Sequence, residues 1–111
     1  MYIIINQRRY PVQLEQNATA QAFVSLLPLV LDMEELNGNE KYVYLGEHLP
    51  SEPQCPGMIN AGDIMLFGSN CVVVFYESFR THYAYSRIGR VLSTEGLRLA
   101  LGKSNVKVAF E

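Results

Sequence analysis

Hydrophobic and polar positions alternate with a period of two in several lengths of this chain. Tyr10, Val12 and Leu14 take turns with Pro11, Gln13 and Glu15. Leu29, Leu31 and Met33 share one side of a stretch that also carries helix-forming residues, and their alternation favours a strand. Val106–Phe110 alternates again. Successive side chains of a strand point to opposite faces, so each of these lengths predicts a strand with one buried face. Tyr2–Ile5 is a β-branched run and Glu40–Leu45 reads as a further strand. Pro11 has no amide hydrogen for a ladder, which predicts an edge or a bulge at its position.

The segment from Gly62 to Val91 organises the rest. Three runs rich in Val, Ile, Phe and Tyr, namely Asp63–Phe67, Cys71–Tyr76 and Tyr83–Val91, are separated by Gly, Ser, Asn and charged residues. They predict consecutive antiparallel strands. Gly68-Ser69-Asn70 fits a tight hairpin, since Gly and Asn reach positive φ at low cost. Cys71–Phe75 holds no polar residue, so it is buried on both faces and something must cover its outer one. Ile88-Gly89 predicts a bend or bulge.

Helical spacing is confined to short lengths. Ala22, Phe23, Leu26 and Leu27 fall on one face, Asn17 or Thr19 can cap the start, and Pro28 ends the helix at Leu27. This amphipathic helix is expected to seal one end of the domain. Ser93–Gly102 has room for a helical turn. Asn37-Gly38-Asn39 is a turn. Gly46–Gly62, with Pro50, Pro53, Pro56 and Gly57, lacks periodicity, and Met58-Ile59 is the part expected to dock it. Loops this long are often functional.

Taken in order, Leu26-Leu27-Pro28, Gly38-Asn39-Glu40-Lys41-Tyr42, Gly62-Asp63-Ile64, Phe75-Tyr76 and Ile88-Gly89-Arg90 resemble the small single-domain cyclophilin-like proteins of bacteria and archaea. The resemblance runs from about Thr19 to Val91. It implies a mainly β fold: a closed eight-stranded cyclophilin-like β-barrel with one or two short capping helices, in a single domain over residues 1–111. Pairing of the last strand with the first would close such a barrel and remove exposed edges.

Composition narrows the function. With 49% hydrophobic and 18% charged residues, the chain has the make-up of a globular domain. A formal charge of −2 and the absence of any basic run beyond Arg8-Arg9 argue against a nucleic-acid partner. No apolar run approaches the ~20 residues of a membrane span. Tyr2–Ile5 follows no basic leader and is too short for a signal peptide. Cys55 and Cys71 form no Cys-x-x-Cys, and Cys71 reads as a small core residue. The expectation is a soluble cytoplasmic protein.

Few residues can carry chemistry. His48 and His82 lack a partner at metal-ligand spacing, so no metal and no cofactor is expected. No nucleophile elbow or phosphate-binding loop occurs. Asp63 after Gly62 reads as a local backbone acceptor. The candidates for binding are the aromatic residues Phe75, Tyr76, Tyr83 and Tyr85, together with Glu40, and Arg87 and Arg80 are the candidates for catalysis. Phe75 suits a core position as well as a pocket, and tyrosines suit rims because one end is polar. Three functions fit these residues. The first is a barrel binding a peptide or small ligand in an aromatic, arginine-lined groove. The second is a peptidyl-prolyl isomerase acting on proline-containing peptides, in which a guanidinium would donate to the imide nitrogen and weaken its double-bond character. The Phe-His-Arg and Phe-Met-Gln-Gly-Gly-Asp stretches of true cyclophilins do not occur here. The third is an interaction module that forms a homodimer through an apolar patch.

Overall fold

The computed structural model describes all residues from Met1 to Glu111. Ten strands and two helices follow in the order β1 (Tyr2–Ile5), β2 (Arg8–Leu14), α1 (Ala18–Val24), β3 (Leu29–Leu36), β4 (Glu40–Tyr44), β5 (Met58–Ile59), β6 (Asp63–Phe67), β7 (Cys71–Phe75), β8 (Phe79–Arg80), β9 (Ser86–Val91), α2 (Leu97–Leu101) and β10 (Val106–Phe110). Eight of the strands close an antiparallel barrel in the order β1-β10-β3-β4-β7-β6-β9-β2, and β5 and β8 form a separate two-stranded sheet. The first and last strands complete the circle, with Ile3 opposite Phe110. Every barrel strand thus has two neighbours, and the barrel itself has no open edge.

The alternating pattern sets which side chains fill the barrel. Ile3, Ile5, Tyr10, Val12, Met33, Ile64, Leu66, Val72, Val74 and Val108 point inward and are buried. The β6–β7 hairpin turns through Gly68-Ser69-Asn70 with Phe67 opposite Cys71, and Gly68 takes φ 64°. The bulge foreseen at Ile88-Gly89 is present, because the β6–β9 register steps from Ile64↔Gly89 to Met65↔Arg87 and leaves Ile88 over. Gly89 allows β9 to press on β2, where a Cβ would lie 2.6 Å from the Gln13 carbonyl oxygen.

The helices close opposite ends. Asn17 caps α1 by accepting from the Ala20 amide at 2.7 Å, and its side-chain amide donates to the Arg87 carbonyl at 2.9 Å. α1 ends at Val24, so Leu26 and Leu27 lie in the turn beyond it and are half-buried. The anchor of α1 is Phe23, fully buried and packed edge-on against Phe110 with ring centroids 5.3 Å apart. α2 covers the other end with Leu97 and Leu101.

Two expectations need correction. Pro11 is not on an edge strand. Its carbonyl accepts from the Leu92 amide at 3.0 Å, one residue past the paired end of β9, so the bond that proline cannot donate falls outside the ladder. The polar turn after β7 and the Gly46–Gly62 loop are not wholly irregular either. Each contributes one strand of the β5–β8 sheet, with Met58↔Arg80 and Ile59↔Phe79, and Gln54 bridges to Tyr85. This layer answers the question raised by the apolar β7. Ile59, Met65, Cys71, Val73, Phe75 and Tyr85 form a second core on the outside of the barrel wall, with Phe79 and Tyr42 against it.

Candidate functional site

Period two on β4 divides its side chains between inside and outside. Lys41 and Val43 point into the barrel, whereas Glu40, Tyr42 and Tyr44 sit opposite Phe75, Val73 and Cys71 on the outer face. The segment from Phe79 to Tyr85 stands over this face, and the Asn37–Asn39 turn borders one end. Between them lies a groove of about 700 Å³, within the ~300–1,000 Å³ usual for small-ligand sites. Val73 and Cys71 line its floor, and Tyr42, Tyr44, Phe67, Tyr83, Tyr85 and Phe79 supply aromatic walls. The rings support one another: Phe67 lies 5.8 Å from Tyr83 and 5.6 Å from Tyr85, and Tyr42 meets Tyr44 edge-on at 6.0 Å.

One carboxyl faces the groove. Glu40 is 9% exposed and receives no hydrogen bond from the protein. Burial, and then the nearby charge of Glu35, push its pKa from 4.5 up to about 7. The buried Asn39 side-chain oxygen beside it also lacks a donor. The Cys71 thiol is pushed up to about 11 by burial and by the charge of Glu40, and is therefore a neutral part of the floor.

The barrel end under α2 has a different character. Lys41 is fully buried there, and its ammonium donates to Glu35 Oε1 at 2.9 Å and to the carbonyls of Gly102 at 2.9 Å and Ser104 at 2.6 Å. The Tyr76 hydroxyl donates to the same Glu35 oxygen at 2.6 Å. Burial opposes ionisation of Glu35, but the bonds from Tyr76, Lys41 and the Gly38 amide outweigh it and hold the carboxyl below its usual value. Tyr76 itself is pushed up to about 12 by burial and by its bond to Glu35. A cleft of about 400 Å³ lies over this network, lined by Glu35, Tyr76, Arg98 and Lys103 among others. Its buried polar groups are already bonded to one another, which makes it a plug for the barrel end. In the groove, Glu40 and Asn39 Oδ1 have no protein donor.

The sequence-derived candidates thus separate. Glu40, Arg80, Tyr83 and Tyr85 come together around the groove. Phe75 is fully buried beneath it, between Phe79 at 5.7 Å and Tyr85 at 5.6 Å. Tyr76 belongs to the Lys41–Glu35 network, since it is one residue out of step with the outward Cys71, Val73 and Phe75. Arg87 does not line the groove. It lies opposite Met65, and its charge acts on Asp63, whose carboxyl is raised by burial against the pull of the Asn60 amide, Arg87 and Arg90. Asp63 Oδ2 accepts from that amide at 2.8 Å, the local backbone role expected of it. Tyr42, Tyr44 and Asn39 were not among the candidates. Their signal was available: Tyr42 and Tyr44 stand two and four residues from Glu40 on one strand, hence on its face.

A closed eight-stranded antiparallel barrel with helices over both ends and a groove on its outer wall defines the class of domain. The chain belongs to the cyclophilin-like family, whose profile matches residues 3–111. No curated protein and no solved structure matches it. No helix is long and apolar enough to cross a membrane, and no cluster of His, Cys, Asp and Glu has the make-up of a metal site.

Proposed function

We propose that this cyclophilin-like barrel binds a peptide or small ligand in the groove between the outer face of β4–β7–β6 and the Phe79–Tyr85 segment. The observation that carries this reading is the second core. The apolar outer face of β7 needs only a cover, yet the added two-stranded sheet and a run of tyrosines leave a concave aromatic surface beside it. Tyr83 is 65% exposed and Tyr44 likewise 65%. Large aromatic side chains held in the open around a concavity are characteristic of binding surfaces. An NMR titration of the labelled protein against short peptides tests it, with shifts expected at Tyr42, Tyr44, Val73 and Tyr85. Shifts confined to the α2 end would refute it.

One observation favours a catalytic variant of the same reading: Arg80 lines the groove beside Phe79. A proline ring against the aromatic wall would bring its imide nitrogen within the guanidinium's region, and a donated hydrogen bond there would lower the ~18–20 kcal/mol barrier to rotation. Arg80→Ala in an X-Pro isomerisation assay decides the point. Loss of activity with the fold retained identifies an enzyme, and the absence of activity in the parent chain leaves a binding protein. The binding reading is preferred because it requires none of the residues that true cyclophilins carry and this chain lacks. Both cysteines are free, which fits the reducing cytoplasm as the proposed location.

A further inference from the structure

We infer that the groove recognises an organic cation, an ammonium or guanidinium group on a short aliphatic stem, held between the Glu40 carboxylate and the faces of the surrounding tyrosines. The inference rests on the groove being a binding site and names what that site would take.

The unspent polar atoms are acceptors. Glu40 is nine-tenths buried, lines the groove and accepts no hydrogen bond from any protein donor. Asn39 Oδ1, on the preceding residue, is buried and equally without a donor. The buried Asn39 oxygen without a donor is costly, and the Glu40 carboxyl beside it opens on the groove with no protein donor, so a ligand bringing N–H groups serves both. The protein's own cations do not serve. Lys41 is next in sequence but points into the barrel, where Glu35 and two carbonyls take its three N–H groups. Arg80 lines the groove, but neither it nor Glu40 takes part in any of the ion pairs of the structure. Tyr42 and Tyr44 follow Glu40 along one strand face, with Tyr85 across from them. A carboxylate within a set of tyrosine rings is the arrangement that draws a cation out of water, through ring quadrupoles and a charged hydrogen bond together. A neutral donor would pair with Glu40 without the help of charge, and an anion would be repelled by it.

Other ionisable groups around Glu40 matter to the test. Glu35 on β3 acts on it from the barrel side, and Cys71 and Tyr85 on the groove side feel its charge. Arg80 and His82 line the same groove.

The test is an NMR titration of the full chain with four probes: n-butylammonium, a tripeptide with a central unmodified lysine and capped termini (N-terminal acetyl, C-terminal amide), the same tripeptide with norleucine in place of lysine, and n-butanol. At about pH 8.5 the cations are expected to shift Asn39, Glu40 and Tyr42 and to bind at least about tenfold more tightly than their neutral counterparts, as a charge-assisted bond requires. The cation affinity is expected to fall about tenfold in Glu40→Gln and severalfold in Tyr44→Leu, an exposed position that leaves the core intact. It is also expected to fall at about pH 5.5, below the value of about 7 to which burial raises the Glu40 carboxyl, and His82→Gln is expected to retain this pH dependence. Binding by the lysine peptide alone names a peptide source; binding by butylammonium names a free amine. Equal affinity for the neutral probes, or for Glu40→Gln, overturns the cation while the groove reading survives. No shift in the groove with any probe overturns both.

Discussion

Glu40 makes the pH dependence of stability calculable. In the unfolded chain its carboxyl has the ordinary value of 4.5, and in the folded protein about 7. Below about pH 4.5 both states carry the proton and there is no penalty. Between the two values the folded state keeps a proton that the unfolded state releases, so stability declines as pH rises. Above about 7 the folded protein holds the charge at full cost. The gap of about 2.5 (7 − 4.5), at ~1.4 kcal/mol for each, comes to about 3 kcal/mol. The open side of the groove screens part of this, so roughly 2–3 kcal/mol is expected. Glu40→Gln keeps the shape and removes the titration. Urea unfolding of both proteins, in steps from about pH 4.5 to about pH 8.5, should show equal stability at the acid end and a variant more stable by roughly 2–3 kcal/mol at the alkaline end. That gain corresponds to about 8–12 °C in melting temperature at ~4 °C per kcal/mol. Taking the difference between the two proteins removes the contribution of Asp63, which is also raised and has the same sign. A difference that stays constant across the series would refute the reasoning, since Glu40 would then titrate alike in both states. A variant less stable at high pH would mean that the carboxylate has a stabilising partner.

Three further perturbations follow from the packing. Lys41→Met strands the Glu35 carboxylate and the Gly102 and Ser104 carbonyls, and should cost ~3–5 kcal/mol in urea unfolding; adding Glu35→Gln should restore part of the loss. Gly89→Ala drives a Cβ to within 2.6 Å of the Gln13 carbonyl and, because backbone must move, should cost ~2–4 kcal/mol by the same measurement. Phe23→Ala empties the seat beside Phe110 and should cost ~3–5 kcal/mol, with near-ultraviolet circular dichroism reporting the loss of the aromatic pair.

The barrel was largely legible because its signals are local. Tyr10, Val12 and Leu14 reveal an inward face by alternation, Gly68 and Asn37-Gly38 mark hairpins, and the wholly apolar Cys71–Phe75 announces a cover over its outside. What covers it was legible only in part: Met58-Ile59 reads as the docking point of its loop and Ile59 is buried in the second core, but its pairing with Phe79-Arg80 was not. Met58-Ile59 and Phe79-Arg80 are too short for any period, and they pair only because the barrel brings two distant loops together. The site was half legible for a related reason. Phe75, Tyr76, Tyr83, Tyr85 and Arg87 are close in sequence, but parity sends Tyr76 inward, and Arg87 lies opposite Met65 at the bulge, outside the groove. Glu40 was found among the candidates, whereas its same-face neighbours Tyr42 and Tyr44 were passed over. The separation of Lys41 from Glu40 depends on the same parity, which puts a salt-bridged ammonium inside and an unpaired carboxyl outside.

The two residues on each side that join β5 to β8 hold far less than the barrel beneath them. Such an annex can lift away without the staves coming apart, so its amides should exchange with solvent deuterium by local opening while those of β6 and β7 wait for global unfolding. Whatever occupies the groove touches both layers, and would therefore be felt first as a slowing of that flap's breathing.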